Sequence, residues 1–115
     1  MTNYFLDSTI LNRFKLLKKH DYIFDNNIII SAVALDYVFP STLKKINKKS
    51  KYGVLTWHYN DIQSDLPIND SIKELLTAVD FENRCAPDNL IYITHDTTLG
   101  FIANHYFGND SILII

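Results

Sequence analysis

The sequence predicts an α/β fold, a three-layer α/β/α sandwich with a central, mainly parallel sheet, built as one domain over residues 1–115. Short apolar runs alternate with segments whose apolar residues recur at helical spacing, which is typical of right-handed crossovers between parallel strands. The run Ile28–Ile30 is apolar throughout, as in a strand that helices cover on both faces. With 47% hydrophobic and 21% charged residues, a chain of 115 residues can bury one core.

The first half of the chain begins with a short β-prone run, Tyr4–Leu6, which ends at Asp7. Ser8 can cap the helix that follows. After the turn signal Asn26-Asn27 comes the strand Ile28–Ile30. From the strand–helix alternation and the run of three isoleucines, we expect Tyr4–Leu6 at the centre of the sheet, between the strands 28–30 and 90–94.

The chain then repeats this alternation to its end. Ser31 opens a helical segment 32–39, which Pro40 stops, and a second helix starts at Ser41 or Thr42. A strand 54–59 follows, and a turn at Pro67 and Asn69 leads to a helix 71–79. The last predicted elements are a strand 90–94, a helix capped by Thr97 or Thr98 and ended by Gly108, and a strand 112–115.

Acidic residues follow two of the predicted strands. Asp7 and Asp96 each stand where a strand ends and a helix begins. In open parallel sheets ligands bind outside the carboxyl ends of the strands, so both carboxylates can share one crevice. Two carboxylates in one crevice repel unless a cation neutralises them, and Mg²⁺ or Mn²⁺ prefers oxygen ligands. The alternative is that both residues are helix N-caps, a position that favours Asp.

Several other functions are excluded or disfavoured by composition. With three glycines and no Gly-rich loop, a Rossmann or P-loop nucleotide site is excluded, and no Ser stands in a nucleophile elbow. The haloacid dehalogenase reaction needs a second Asp where Thr9 stands. The single cysteine, Cys85, cannot form an internal disulfide. We expect a cytoplasmic protein without a membrane span, since the sequence lacks a long apolar run and a signal peptide.

Four segments in order resemble the PIN domain family, in particular the PIN domains found with PhoH-type ATPases. The resembling stretches are YFLDSTIL (4–11), YIFDNNIIISAVAL (22–35), Asn69-Asp70 followed by Ile72, and LIYITHDTTL (90–99). The resemblance implies a metal-dependent ribonuclease whose catalytic acids are Asp7, Asp36, Asp70 and Asp96, with Mg²⁺ or Mn²⁺ held by Asp7, Asp70 and Asp96.

The chain departs from the family pattern at two places. The usual Thr-Asn after the first Asp is Ser8-Thr9, so the Asn that supports the site is missing. The family's helix Glu aligns best with Tyr37, which leaves Asp36 one position away, about 100° around a helix. A nuclease should show compensation for these changes, whereas a binding module can lose both residues. Asp70 also has a simpler interpretation as part of a capping turn, with Glu74 reinforcing the helix start.

The predicted function is that of a metal-dependent endoribonuclease that cleaves single-stranded RNA with a metal-activated water. The alternative is a catalytically inactive PIN-like domain that binds protein or RNA. The formal net charge of −2 does not indicate a nucleic-acid binder, but lysines crowd two segments. The sequence leaves open whether the protein forms a homodimer or binds an antitoxin-like protein partner. The lysines expected to hold the RNA backbone are Lys44, Lys45, Lys48 and Lys49, and the second group is Lys15, Lys18 and Lys19.

Overall fold

Five parallel strands form a single sheet in a computed structural model that describes residues 1–59 and 69–115. The strands are β1 (Asn3–Leu6), β2 (Asn27–Ser31), β3 (Val54–Trp57), β4 (Leu90–Thr94) and β5 (Ile112–Ile114). The helices are α1 (Ser8–Leu11), α2 (Phe14–Leu17), α3 (Pro40–Lys49), α4 (Asp70–Cys85) and α5 (Thr97–Phe107). Three 3₁₀ segments cover Asp21–Asp25, Ala32–Asp36 and Asn109–Ser111.

The strand order across the sheet is β3-β2-β1-β4-β5. Tyr4 of β1 stands opposite Ile28 of β2 on one side and Ile91 of β4 on the other, and both pairings are parallel. The predicted central position of the first strand is therefore confirmed.

Successive residues of the central strands point to opposite faces of the sheet. Tyr4 and Leu6 belong to one buried cluster and Phe5 to the other, and the isoleucines of β2 divide between the same two clusters. Because both faces are covered, the fold has three layers, as the apolar run in β2 predicts. The helical side chains in the clusters include Leu11, Leu17 and Ile46 on the first face, and Leu75, Ala78 and Ala103 on the second.

The alternative interpretation of Asp7 and Asp96 as helix N-caps is confirmed, whereas the caps predicted at Ser8 and at Thr97 or Thr98 are wrong. Asp7, and not Ser8, caps α1, because its carboxylate accepts from the Thr9 and Ile10 amides. Asp96 caps α5 in place of Thr97 or Thr98. In both cases the aspartate that follows the strand has the extended backbone of a cap, so its carboxylate reaches the free amides first.

Other boundaries move for equally local reasons. Pro40 does not stop a helix but begins α3, at the first helical position where its missing N–H costs nothing. The segment after Ser31 is a 3₁₀ turn that ends at Asp36 and not at residue 39. The helix predicted over 71–79 runs on to Cys85.

Two further predictions concern Gly108, at the end of α5, and the turn residues before α4. Gly108 is the C-cap of α5, as predicted, with a φ of 82° that suits glycine. Of the predicted turn residues, Asn69 caps α4, while Pro67 lies outside the described residues.

In residues 1–59 and 69–115 no helix is both long and apolar enough to cross a membrane.

Candidate functional site

The two strand-end aspartates stand at the carboxyl ends of neighbouring strands. Leu6 pairs with Ile93, and the amide of the next residue, Asp7, donates to the Ile93 carbonyl at 3.2 Å. Asp96 follows the end of β4 by two residues. Both residues therefore lie at the edge of the sheet where parallel α/β folds bind their ligands.

Asp7 is fully buried and its carboxylate is held on every side by the chain. Oδ1 accepts from the amides of Thr9 at 3.1 Å and Ile10 at 3.3 Å, and from the Thr9 hydroxyl. Oδ2 accepts from the hydroxyl of Tyr92 at 3.0 Å. Burial raises the pKa of Asp7, and the hydrogen bond from Thr9 opposes that rise.

A second buried carboxylate, Glu74 of α4, stands beside this first one and was missed as a site residue by sequence reasoning. Its Oε1 accepts from the Ser8 amide at 2.8 Å and its Oε2 from the Ser8 hydroxyl at 2.6 Å. Burial, followed by the negative charges of Asp7 and Asp70, raises the pKa of Glu74 to about 7. The sequence predicts that Glu74 reinforces the start of its own helix. In the structure its carboxylate instead binds Ser8, at the start of α1.

No sequence signal identifies Glu74 as a site residue. The apolar residues Ile72, Leu76 and Val79 recur on one side of α4, and helical spacing places Glu74 on the other side. The structure nevertheless buries the face that contains positions 74, 75, 77, 78 and 81. A buried carboxylate needs a partner, and Ser8 supplies it.

Tyr92 of β4 is the side chain that holds the second oxygen of the Asp7 carboxylate. Its ring is fully buried between the rings of Phe5 and Phe107, at centroid distances of 5.9 and 6.0 Å. Burial raises its pKa well above the usual value, and the charges of Asp7 and Glu74 raise it further. A protonated Tyr92 hydroxyl thus remains the donor to the Asp7 carboxylate.

Asp96 has a more open environment than Asp7. Its Oδ1 accepts from the Leu99 amide at 3.1 Å, and the side chain is half-buried. It lines a cavity of about 370 Å³ together with Thr9, Asn12, Arg13 and His95. This carboxylate can therefore meet a ligand without a rearrangement of the core.

The other two predicted acids lie further out. Asp70 is the first residue of α4, half-exposed, with Oδ1 3.5 Å from the Lys73 ammonium. Asp36 is exposed at the end of the 3₁₀ segment that follows β2. The structure thus brings Asp7 and Glu74 together in the interior, with Asp96 at the adjoining cavity and Asp36 at the surface.

Thr9 joins the two strand ends at the position where the resemblance would place an Asn. Its hydroxyl donates to Asp7, lies 3.0 Å from the Thr94 hydroxyl, and accepts from the His95 amide at 2.9 Å. The hydroxyl therefore orients the first acid and ties it to the loop that carries the second.

The carboxylates supply the ligand type that Mg²⁺ or Mn²⁺ takes, since all their donors are oxygens. Within the described ranges, no three His, Cys, Asp or Glu side chains are grouped so that they could hold a metal. Magnesium often needs only one or two carboxylates and keeps several waters. Asp96, which lines the cavity, could supply one oxygen ligand to such an ion, whereas both oxygens of Asp7 are already hydrogen-bonded.

A larger cleft of about 810 Å³ adjoins this cavity. Asn12, Arg13 and His95 line both spaces. Five cationic side chains, from the α1–α2 region and from α3, line the larger space, which we term the basic cleft: Arg13, Lys15, Lys18, Lys19 and Lys45. Although the chain carries a net charge of −2, a concave surface with five cations attracts anions locally.

The basic cleft contains one of the four lysines expected to hold RNA. Lys45 lines it, and Lys44 and Lys48 are exposed on the same helix. Lys49 has its ammonium 3.5 Å from Asp21 and 5.3 Å from the Phe24 ring centroid. The other cations of the cleft are Lys15, Lys18 and Lys19, which the sequence shows as a cluster without a ligand assigned to it, and Arg13, which sequence reasoning missed.

Comparison with known proteins assigns no family to this chain. No protein-family model matches it, and searches of curated proteins and of solved structures return no match. The likeness to PIN domains therefore stays a prediction from the sequence, and the geometry of the site carries the functional argument.

Proposed function

We propose that this protein is a metal-dependent endoribonuclease that holds single-stranded RNA in the basic cleft and cuts it at the carboxyl edge of the sheet. One observation carries the proposal: the basic cleft and the cavity that contains Asp96 share three lining residues. An RNA chain whose phosphates contact the cations of the basic cleft would therefore continue to the carboxylate of Asp96, at the carboxyl ends of the β-strands.

The residues between the two spaces have the chemistry that this function needs. Arg13 lines both, and a guanidinium binds phosphate oxygens in a bidentate manner. Thr9 supplies a hydrogen bond to Asp7 where the family pattern would have an Asn, which compensates for one of the two departures from that pattern. A bound Mg²⁺ or Mn²⁺ would supply an activated water and stabilise the negative charge of the reacting phosphodiester.

A second candidate is an RNA-binding module without cleavage. It is favoured by the hydrogen bonds that occupy both oxygens of Asp7 and both oxygens of Glu74. In this case the carboxylates hold the start of α1 in place, and the basic cleft alone carries the function.

A cleavage assay with Mn²⁺ on a mixed single-stranded RNA tests the proposal. We expect Asp96→Asn to lower the rate by about 100-fold or more, as for residues at a metal site. Asp88→Asn is the matched control, because Asp88 is exposed near the start of β4, at the opposite edge of the sheet. Equal rates for wild type and Asp96→Asn would contradict the proposal.

A binding measurement in EDTA separates the two candidates. Lys45→Ala should weaken RNA binding and lower the slope of log affinity against log salt by about one, since one phosphate contact is lost. Lys51→Ala is the control, because Lys51 is exposed before β3 and belongs neither to the basic cleft nor to the four lysines expected to hold RNA. Binding that depends on Lys45, without any cleavage by the wild type in Mn²⁺, would establish the binding module and exclude the nuclease.

A further inference from the structure

We infer that Tyr37 and Phe39 form a stacking platform for the bases of single-stranded RNA beside the basic cleft, an inference that deepens the proposed function and rests on its RNA-binding part. Both side chains are large and exposed: 50% of Tyr37 and 76% of Phe39 is accessible. Between them Val38 is buried in the core. The backbone of this segment is therefore anchored while both rings stay in solvent.

The platform is attached to the cleft at both of its ends. The Asn12 side-chain amide, which belongs to the wall of both cavities, donates to the Tyr37 carbonyl at 3.0 Å. Phe39 is the N-cap of α3, and the same helix brings Lys45 into the basic cleft. Pro40, at the first helical position, stiffens the backbone directly after Phe39. Rings on a rigid backbone lose little freedom when a ligand stacks on them.

The combination of exposed rings and cations favours single-stranded RNA over a protein partner. A single strand offers a line of phosphates for the cations and unstacked bases for the rings, and known single-strand binders use both together. A duplex keeps its bases stacked inside, so it can use the cations but not the rings. An apolar protein surface would leave the five cations of the adjoining cleft without a role.

The chain offers a matched pair of exposed rings away from the cleft. Phe101 is 69% exposed and Tyr106 is 51% exposed, close to the values for Phe39 and Tyr37. Both belong to α5, whose buried side chains pack on the other face of the sheet from the helices that line the cleft. Phe101→Ala and Tyr106→Ala therefore control for the loss of an exposed ring as such.

The test is fluorescence anisotropy with labelled 12-nucleotide oligo(U) and oligo(A), on the full chain in EDTA so that cleavage cannot interfere. We expect Tyr37→Ala and Phe39→Ala each to weaken binding by about 5-fold or more, as loss of one stacked base does. Phe39→Trp should keep the affinity, whereas Phe39→Leu should lose it, because stacking needs a flat ring. The salt slope should stay unchanged in these variants, whereas Lys18→Ala lowers it by about one.

Each outcome decides the inference separately from the proposed function. Wild-type affinity in both platform variants, together with weaker binding by Lys18→Ala, would overturn the platform and leave RNA binding in place. Ring-dependent binding without cleavage in Mn²⁺ would support the platform and overturn the nuclease. Absence of RNA binding by the wild type would overturn both. Equal losses in Phe101→Ala and Tyr106→Ala would also overturn the platform, since position would then not matter.

Discussion

Two junctions of this protein have nearly the same local sequence and different surroundings. The first, residues 7–9, reads Asp-Ser-Thr after β1, and the second, residues 96–98, reads Asp-Thr-Thr after β4. In both, the aspartate caps the helix that follows. Asp7 is fully buried, whereas Asp96 is half-buried and lines a cavity.

The difference arises from what packs over each junction. Glu74 of α4 and Tyr92 of β4 cover the first junction and hold its polar atoms. The second junction faces the cavity that continues into the basic cleft. The same capping motif therefore serves mainly the stability of the fold at Asp7, and is available to a ligand at Asp96.

The largest effect should come from removal of the buried cap. Asp7→Ala leaves the Tyr92 hydroxyl and two helix amides without their acceptor, so we expect the free energy of unfolding to fall by about 3 kcal/mol. Asp96→Ala removes one capping bond at an accessible site and should cost about 1 kcal/mol. Urea denaturation at pH 7 measures both. Equal losses would show that the two junctions do not differ in this way.

A pH titration sharpens the comparison at the first junction. The pKa of Glu74 is about 7 in the folded protein, against 4.5 for an unperturbed glutamate. The unfolded chain therefore releases this proton first, so the contribution of Glu74 to stability is greatest below pH 4.5 and is lost as the pH rises to about 7. Between pH 5 and pH 8 we expect Glu74 to cause a loss of about 2 kcal/mol. Asp7, whose pKa is also raised, contributes a loss in the same direction as the pH rises above its usual pKa of 3.8.

Glu74→Gln is the variant that isolates this term. Its amide stays neutral, and its oxygen can still accept from the Ser8 amide. Urea denaturation should show much less pH dependence between pH 5 and pH 8, and at pH 8 the variant should be more stable than the wild type. A pH dependence as steep as that of the wild type would assign the titration to other groups.

The smallest effect is expected at Asp36, which belongs to neither junction. Because this side chain is exposed, Asp36→Asn should change the free energy of unfolding by no more than about 0.5 kcal/mol. Thermal or urea denaturation, run beside Asp7→Asn, measures it. A loss above 1 kcal/mol would place Asp36 in a structural network like that of Asp7.

Much of the fold could be predicted because its signals are local. The apolar runs 4–6, 28–30 and 90–94 and the helical spacing between them led to a parallel sheet with β1 at its centre, as observed. The sequence left the caps open between Asp7 and Ser8, and between Asp96 and the two threonines that follow it, because Asp, Ser and Thr all carry a suitable oxygen. Only the backbone geometry at the strand end decides which of them reaches the amides.

The site depended more on contacts between distant parts of the chain. Ser8 and Glu74 are 66 residues apart, so nothing in the local sequence of α4 identifies the partner of that glutamate. The basic cleft joins cations of residues 13–19 with Lys45, and these meet because α1, α2 and α3 pack on the same face of the sheet.

The sequence by itself determined the class of fold, the strand-end position of Asp7 and Asp96, and the clusters of lysine. The tertiary structure alone decided that Asp7 is buried with Glu74 while Asp96 lines a cavity beside the basic cleft. The physical reason is range: strand and helix propensities act between near neighbours in the chain. Burial, pKa and cleft formation depend instead on which distant elements cover a residue and which leave it open to water.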